Sequence, residues 1–429
     1  MGTSSRWVTS AAVLLGLGVA TPGWAFSQLS QFGGSASPIV YNHWDPDQLP
    51  IHYRVDPGGS GIAGVDAVAL VQAAFGAWEN VTSSAIRFEY DGFIPDTNGD
   101  NNTTIADIDS GAAFRDDGRI DVIFDDSGAY FDRQFGPDNG VLGLAFPTID
   151  INTGRMRDSD IVISVPNVKK FSDIDLLGVL THEIGHLCGL GHSGVFPDVG
   201  FNQIPTMFPY AGVYGPDRTE QRSLSADDAA GVSYLYPESS LAHDFGTIRG
   251  TITQADGQPG FGTHVTALNA ATGEAVGAIA GYFSGNTHDG TYFIPGVPPG
   301  LYAVFIHALD GGQASGFVSG FNISEILRQT LGFSFPKEYF NNVADQPAAT
   351  GINVAAASTT TGVDFVQGSE NGGAPLATHV TTTPDSGSSG HHGGGGGGCA
   401  VAESSPAPAA AALALLLPGL WVVSRRRRG

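Results

Sequence analysis

One segment of this 429-residue chain, H-E-x-x-H-x-x-G-x-x-H, carries residues whose types and spacing could hold a metal ion. His182 and His186 are four residues apart, so a helix would place them on one face, one turn apart. Two imidazoles at that separation can bind one Zn²⁺ through their ring nitrogens. Gly189 can end the helix in the left-handed conformation, after which the chain can return His192 as a third ligand. The pattern therefore predicts one zinc ion held by three histidines.

Three protein ligands leave the fourth position of a zinc ion open, which is the arrangement of a catalytic rather than a structural site. Glu183 lies on the neighbouring face of the predicted helix, where it can reach a water molecule on the zinc rather than the ion itself. Zinc lowers the pKa of such a water toward about 7. Glu183 would take its proton as general base and return it to a leaving amine. A chance pattern and ordinary buried histidines are the alternatives, but neither explains three histidines at ligand spacing around a carboxylate.

The elements that must position this segment follow from the alternation and periodicity of apolar residues. Strands are predicted at 51–55, 86–90, 120–124, 141–147 and 160–165, and a helix at 65–81. Ser172 is expected to cap the helix that carries the histidines, and Ser225 to cap a last helix that ends near Tyr236. A strand, a helix and a strand in this order indicate a crossover unit.

A second group of candidate ligands lies in the segment PDTNGDNNTTIADIDSG. Asp96, Asn98, Asp100, Asn102 and Asp107 occupy positions 1, 3, 5, 7 and 12 of a calcium-loop template. Their hard oxygen atoms suit Ca²⁺ better than Zn²⁺. Asparagine replaces the usual glycine at position 6, and the aspartate at position 12 is shorter than the usual glutamate. A solvated Asn/Asp turn is the alternative, and both interpretations stay open.

The composition limits the function classes. The formal net charge is −23, with 42 acidic and 19 basic residues, so the surface repels nucleic acid and favours cations. Two cysteines, Cys188 and Cys399, are too few for a disulfide framework. Cys188 is expected to be a buried, inert thiol on the side of the helix away from the histidines.

Both ends of the chain carry patterns typical of targeting segments. Residues 1–25 combine Arg6 with a short apolar run and small residues at a cleavage site, which predicts a secretory signal peptide. Residues 369–398 are rich in Gly, Ser, Thr and His and are expected to form a flexible linker. Residues 399–429 place an apolar run before Arg425–Arg428, which is typical of a membrane stop.

Residues 51–237 resemble the metzincin zinc endopeptidases, most closely the matrixins. The matching segments are AFGAWENV (Ala74–Val81), the histidine segment, TMFPY and LSADD (Leu224–Asp228). The resemblance implies an α+β catalytic domain with a mixed five-stranded sheet, three helices and a substrate cleft across the zinc. It also implies that Met207 forms a turn beneath the ligands, although ordinary core packing would give this residue a similar environment.

Three departures from the matrixin pattern change what is expected. Leu144 stands where matrixins commonly place a histidine for a second, structural zinc, so one zinc per chain is expected. No cysteine lies between Phe26 and the catalytic domain, so latency through a cysteine-bearing propeptide is not expected. Tyr210 lies three residues after Met207 rather than two, so the zinc-proximal role of the tyrosine in astacins and serralysins is not carried over.

The sequence changes character after His243. Short alternating strands separated by Gly, Pro and Asp turns predict an all-β domain up to about residue 368. The segments G-Q-P-G, D-G-T-Y and P-P-G-x-Y resemble the carboxypeptidase-regulatory β-sandwich, which implies a supporting or adhesive module. His264, His288 and His307 are expected at surface or strand positions, not as metal ligands.

The order of Cys399, an apolar run and an arginine cluster resembles the C-terminal sorting tail of myxobacterial surface proteins. The resemblance implies display at, or release from, the surface of a Gram-negative bacterium, with a simple membrane anchor as the alternative. The predicted divisions are a signal peptide (1–25), a catalytic domain (26–240), a β-sandwich (241–368), a linker (369–398) and a sorting or anchor segment (399–429).

Together these features predict a secreted or surface-displayed, monomeric zinc endopeptidase that acts on protein or peptide substrates. Two alternatives remain: a surface adhesion protein whose peptidase domain mainly binds, and a self-processing protease with one dedicated target. The intact Glu183 argues against the adhesion protein, because a binding-only descendant could lose this residue freely.

Overall fold

The computed structural model describes the chain in segments. They are residues 30–32, 39–96, 99–110, 115–150, 153–170, 175–195, 204–208, 210–211, 220–260, 263–280, 283–284, 287–288, 290–307, 336–368, 380–384 and 413–414. The predicted signal peptide (1–25) lies outside them, as does most of the predicted linker and tail. None of the helices in these segments is both long and apolar enough to cross a membrane.

The N-terminal region, residues 39–244, is built on one five-stranded sheet. A short antiparallel pair, β1 (Ser30–Phe32) and β2 (Ile39–Tyr41), precedes the sheet in the chain. The strands of the sheet are β3 (Ile51–Val55), β4 (Phe88–Phe93), β5 (Arg119–Asp125), β6 (Gly143–Ile149) and β7 (Met156–Ser164). Their order is β4-β3-β5-β7-β6, and all neighbours are parallel except β6 and β7. The sheet is therefore mixed, as expected, with the antiparallel strand β6 at one edge.

The helices of this region surround the sheet. They are α1 (Ala67–Glu79), α2 (Ile105–Ser110), α3 (Ala129–Phe135), α4 (Val165–Lys170), α5 (Leu176–Leu187), α6 (Ala226–Leu235) and α7 (Ser239–Asp244). Among the described helices, α1, α5 and α6 have ten or more residues, which corresponds to the three that were expected. The fully buried Trp78 of α1 donates a hydrogen bond from Nε1 to the Thr181 carbonyl of α5, at 2.9 Å. This bond and the surrounding apolar contacts fix the two long helices against each other.

The second part of the described chain, here called the β-region, consists of twelve strands from β9 to β20. A two-residue strand, β8 (Tyr210–Ala211), precedes it and pairs with β21 (Leu413–Ala414) from the predicted tail. The strands are β9 (Gly246–Thr253), β10 (His264–Asn269), β11 (Ala275–Ile279), β12 (Phe283–Ser284), β13 (Thr287–His288), β14 (Thr291–Val297), β15 (Gly300–His307), β16 (Glu338–Tyr339), β17 (Ile352–Val354), β18 (Ser358–Thr361), β19 (Phe365–Val366) and β20 (Thr381–Pro384). The last of these falls within the predicted linker, where four exposed residues pair with β18.

Two five-stranded sheets make up most of the β-region. One follows the order β11-β10-β15-β16 with β17 on β15, and the other the order β14-β9-β18-β20 with β19 on β9. Alternate residues of a strand point to opposite faces of its sheet. Val265 and Val304 of the first sheet share a buried core with Ile248 and Ile294 of the second. The two sheets therefore bury one face each in a common apolar core.

The other face of the first sheet carries two histidines. His264 and His307 are opposite each other on β10 and β15, and His264 Nδ1 lies 2.9 Å from His307 Nε2. Both residues occupy strand positions, as expected, but they are buried rather than on the surface. Burial lowers the pKa of His264 well below its usual value, and the neighbouring His307 adds to this effect. Only the backbone of His288, in β13, is described.

A group of buried charges lies within the sheet of the N-terminal region. Arg54 donates from Nε to Asp121 at 2.7 Å and from Nη2 to Asp117 at 2.9 Å. Asp160 accepts a hydrogen bond from the Asp121 backbone at 3.0 Å. Burial raises the pKa of Asp158 to about 8 and that of Asp160 well above its usual range, and the neighbouring carboxylates add to both shifts. The folded protein therefore favours the protonated forms of these two acids.

We expect this group to make the protein less stable at alkaline pH. An aspartate has a pKa near 3.9 in an unfolded chain. The stabilisation by protonated Asp158 is therefore fully present below about pH 4 and is lost as the pH rises through about 8. The melting temperature should fall between pH 6 and pH 9, and Asp158→Asn should reduce this fall. Asp244→Asn, at the exposed end of α7, is the control. An equal fall in wild type and Asp158→Asn would contradict the assignment.

Candidate metal centre

The helix that carries the first two histidines is defined at both ends by specific contacts. Asp175 is its N-cap and accepts a hydrogen bond from the Leu177 backbone at 3.1 Å. The helix begins at Leu176, later than the predicted cap at Ser172 indicated, and Ser172 itself lies outside the described residues. At the other end, Trp44 Nε1 donates to the Leu187 carbonyl at 2.8 Å. These contacts satisfy backbone groups that a helix end otherwise leaves without partners.

The chain reverses at Gly189, as the sequence predicted. Its φ is +92°, a conformation that favours glycine. A side chain at this position would also overlap the carbonyl oxygen of Asn42. Tyr236 closes the same end of the helix by donating its hydroxyl hydrogen to the Cys188 carbonyl at 2.9 Å. Cys188 itself is fully buried, and burial raises the pKa of its thiol well above the usual value, as expected for an inert cysteine.

The structure brings the three histidines of the motif together. His182 and His186 are fully buried, and His192 is 1 % exposed. Each offers a ring nitrogen, and these atoms all lie within 4.8 Å of one another. The ring centroids are 4.7 to 5.2 Å apart. Three imidazoles in one buried cluster form a donor set that suits a zinc ion.

Hydrogen bonds to backbone carbonyls fix which nitrogen of two rings carries the proton. His182 Nδ1 lies 2.7 Å from the Thr206 carbonyl, and His186 Nδ1 lies 2.7 Å from the Leu190 carbonyl. A carbonyl oxygen can only accept, so each Nδ1 must donate and each Nε2 keeps its lone pair. Neither Nε2 has a hydrogen-bond partner among the described residues, although both are buried. Two buried lone pairs that lack a donor therefore fit a metal ion between them.

Burial acts on the charge of the same groups. It lowers the pKa of His182 well below its usual value and that of His186 to about 4. Both imidazoles are therefore neutral near pH 7, which is the form that binds a metal. Burial also raises the pKa of Glu183 well above its usual value. A cation held by the histidines would favour the carboxylate form of Glu183 and oppose that shift.

Glu183 is fully buried beside strand β6. Neither of its carboxylate oxygens has a hydrogen-bond partner within the described part of the chain. A Cβ atom added to Gly143 of β6 would lie 2.6 Å from Glu183 Oε1 and 2.8 Å from its Cγ. Glycine at position 143 therefore gives the carboxylate the space that it occupies. The sequence offered no local signal for this contact, because it joins a strand and a helix that are 40 residues apart.

Met207 packs against helix α5, which carries the first two histidines. It is 2 % exposed, and a side chain on Gly185 of α5 would overlap its sulfur atom. The Met207 turn is held by Asp228, whose carboxylate accepts hydrogen bonds from the backbone of Thr206 at 2.7 Å and of Met207 at 3.0 Å. Asp228 thereby positions the Thr206 carbonyl that orients His182. The Ser-x-x-Asp capping box of α6 was the sequence signal that could have indicated this role.

The candidate calcium residues are occupied by local hydrogen bonds. Asp96 accepts from the backbone of Gly99 at 2.7 Å, and Asp100 accepts from the backbone of Asn102 at 3.0 Å. Asp107 accepts from both the backbone and the hydroxyl of Thr104, at 2.8 and 2.7 Å. Asn98 lies outside the described residues. The described carboxylates are not gathered into a metal-binding group, and calcium at this loop stays a prediction.

The described residues contain a second group that could hold a metal, on the strands β3 and β4. It consists of His52, Glu89 and Asp91, which are more exposed than the histidine cluster. Asp91 already accepts a hydrogen bond from Arg119 Nε at 2.8 Å, and its other oxygen lies 2.9 Å from His52 Nδ1. The guanidinium of Arg119 repels a cation at this position. The three buried histidines are therefore the better donor set.

We expect dialysed protein to retain about one zinc per chain, because three neutral imidazoles form one buried site. The His192→Ala variant should lose most of this zinc, because only two of the ligands remain. Elemental analysis measures the content directly. His43→Ala is the control, since His43 lies outside the cluster and 3.2 Å from Asp45. Two tightly held zinc ions in the wild type, or an unchanged content in His192→Ala, would refute the ligand assignment.

Comparisons with known proteins agree with this geometry. The family model described as Matrixin matches residues 43–237. Metalloendoproteinase 1-MMP of Arabidopsis thaliana is 31% identical over 181 residues, which are 42% of this chain and 40% of that protein. Metalloendoproteinase 4-MMP of the same plant is 32% identical over 121 residues, 27% of this chain and 32% of its own length.

A shorter segment matches an animal protein more closely. Matrilysin of Rattus norvegicus is 43% identical over 65 residues, 15% of this chain and 21% of that protein. The chain spans less than half the length of each of these curated relatives. Matrixins are zinc enzymes, and the cluster of His182, His186 and His192 can hold that metal. Residues 43–237 of this chain form a matrixin domain.

Proposed function

We propose that this protein is a zinc metalloendopeptidase that hydrolyses internal peptide bonds of protein or peptide substrates. One observation carries the proposal. Three buried histidines converge next to the buried carboxylate of Glu183, inside a domain that matches the matrixin family. The relatives that the chain resembles include proteins named metalloendoproteinases. Burying these polar groups without a ligand would cost stability, so the arrangement suits a metal-dependent reaction.

The chemistry that a zinc ion supplies when bound is a lowered pKa of water and polarisation of a carbonyl group. Glu183 is then the general base. It takes a proton from the attacking water as the new C–O bond forms, and it returns that proton to the amine nitrogen as the C–N bond breaks. His182 and His186 keep their orientation through the Thr206 and Leu190 carbonyls. The proton therefore passes from water to the amine through one carboxylate, and Glu183 returns to the carboxylate form in which it began.

Strand β6 supports a peptide as the substrate. It stands last in the sheet and, among the described strands, pairs only with β7. An extended peptide can add to such an edge through backbone hydrogen bonds, as in other cases of strand addition. Gly143 of β6 lies against Glu183, so a peptide on this edge would run beside the carboxylate. This geometry favours cleavage within an extended chain.

We also propose that the protein is exported and displayed on, or released from, the cell surface. The sequence of residues 1–25 supports export, and the apolar run with its arginine cluster in residues 399–429 supports attachment or sorting at the surface. The two sheets of the β-region support a carboxypeptidase-regulatory-like β-sandwich over about residues 241–368. Mass determination of the exported chain tests both processing events, because an intact residue 1 or residue 429 would contradict the corresponding cleavage.

We expect Glu183→Gln to keep the fold and the zinc but to lose nearly all proteolysis. The amide has a similar shape but cannot accept a proton from water, and general-base catalysis is usually worth about 10²–10⁴-fold. Cleavage of casein and of a peptide library measures the effect, alongside zinc content. Glu238→Gln, on a half-exposed carboxylate beside Arg87, is the control. A Glu183→Gln variant that retains more than about a tenth of wild-type kcat would contradict the general-base role.

We expect Gly143→Ala to lower kcat/KM by up to about 100-fold, because a displacement of 1 Å at a catalytic group can cost that much. The added methyl would lie 2.6 Å from Glu183 Oε1, so the carboxylate must move. Zinc content should not change, because the histidines are not touched. Gly76→Ala adds a methyl to α1 where, apart from the adjoining chain and the helix's own backbone, no atom lies within 4 Å, and it is the matched control. Equal activity in both variants would show that the position of Glu183 does not depend on this glycine.

A further inference from the structure

The segment that follows the third histidine contacts the β-region through Val195. Val195, three residues after His192, is 1 % exposed. Its side chain does not pack with the core of its own region. It belongs to a separate apolar cluster in which every other buried member comes from the β-region. These members are Leu268, Ala275, Ala303, Phe305 and Tyr339.

The cluster lies on the outer face of the first sheet of the β-region. Residues of β10 and β11 alternate, so that Val265 and Val276 point into the core between the two sheets. Leu268 and Ala275 point to the opposite face, where they belong to one apolar cluster with Val195. The segment after His192 thus contributes a buried side chain to this face of the sheet.

Asp227 joins the same segment to the β-region by hydrogen bonds. Its Oδ2 accepts from the Ser193 hydroxyl at 2.6 Å, and its Oδ1 accepts from the Gly277 backbone of β11 at 2.8 Å. Ser193 directly follows His192, and its backbone donates to the Met207 carbonyl at 2.8 Å. The Ser193 hydroxyl also accepts from the Val195 backbone at 3.1 Å. One buried carboxylate therefore connects the histidine-bearing segment, helix α6 and the β-region.

The contact leaves no free space at Gly277. A Cβ atom at this position would lie 2.8 Å from Val195 Cγ2 and 2.8 Å from His264 Cε1. Ala230 of α6 also packs closely against the β-region. A Cβ atom added to Gly296 would lie 3.0 Å from Ala230 Cβ. The two regions thus meet across close-packed side chains, and close-packed interiors transmit displacements.

We propose that the β-region is a positioning part of the zinc site, which acts through Asp227, Gly277 and the pocket for Val195 on the segment that carries His192. The inference rests on the proposed zinc site in the matrixin domain. Groups that orient metal ligands typically affect metal affinity by 10- to 100-fold when they are changed. His192 is the ligand that no helix holds, so its position depends on the segment that follows it. The β-region fixes that segment.

The test uses the full chain and changes only the β-region. Gly277→Ala places a methyl against Val195 without altering any residue of the N-terminal region. The rate of zinc loss to a chelator should rise about tenfold or more, at a temperature where circular dichroism shows the variant to be folded. Gly351→Ala is the matched control. Its methyl would lie 2.8 Å from Leu301 Cδ1, on a side chain that is 52 % exposed and able to move.

A compensating change separates positioning from general destabilisation. Val195→Ala in the Gly277→Ala background removes Cγ2, through which the added methyl would press on the segment after His192, and leaves the contact with His264 Cε1 in the β-region unchanged. The rate of zinc loss should return towards the wild-type rate. A variant whose β-region was only destabilised would not recover in this way. Val195→Ala alone leaves a gap in the pocket and should also release zinc faster. This variant carries the test if Gly277→Ala does not fold.

Three outcomes would overturn the inference: wild-type zinc loss in Gly277→Ala and Val195→Ala, equally fast loss in Gly351→Ala, or no recovery in the double variant. The readout is zinc retention rather than cleavage. A wild-type chain that holds zinc but cleaves no peptide would refute the proposed peptidase function, while the zinc comparison would still decide the inference. A wild-type chain that holds no zinc would refute both.

Discussion

The hydrogen bonds from two imidazole Nδ1 atoms to backbone carbonyls are the interactions on which the rest of the site depends. They fix the tautomer of His182 and His186, so that each Nε2 presents a lone pair to the same buried space. Both rings are fully buried, where an unsatisfied polar atom is costly. The fold therefore gathers the donor atoms of the candidate site.

The positions of these two carbonyls depend in turn on hydrogen bonds made by residues further from the histidines. The Thr206 carbonyl belongs to a turn that Asp228 holds by accepting hydrogen bonds from two consecutive backbone groups. Asp228 in turn starts helix α6 through its capping box with Ser225. Asp227, the next residue on this helix, holds the segment after His192 and reaches the β-region. Two consecutive residues at the start of α6 thus hold the turn beside His182 and the segment after His192.

Close packing of backbone against side chains explains the glycines around the site. Gly143 and Gly185 leave room for the Glu183 carboxylate and the Met207 sulfur, and Gly277 leaves room for Val195. Each of these glycines lies in a strand or helix where an alanine would normally favour the element. The conformational cost of the glycines is offset by the contact that each one permits. A glycine within a helix or strand near a buried polar group therefore indicates that another side chain packs closely against its backbone.

The sequence alone determined the ligand set and the local frame of the site. The spacing of His182 and His186 matches one helix turn, and Gly189 marks the point at which the helix cannot continue. The mixed sheet and the long helices also followed from local periodicity and from the resemblance. Boundaries shifted by a few residues, as with β7, which begins at Met156 rather than at residue 160. Local patterns carry this information because neighbouring residues alone produce it.

Only the tertiary structure decided how the site is supported and what it touches. The Glu183–Gly143 contact, the His182–Thr206 hydrogen bond and the Asp227–Gly277 hydrogen bond join residues from different elements, the last pair 50 residues apart. His264 and His307 were expected at surface or strand positions, and they form a buried pair across two strands. No local spacing encodes such contacts, because they depend on how whole elements pack. The local sequence therefore identifies the candidate metal ligands, while the packing of the elements decides which groups orient them.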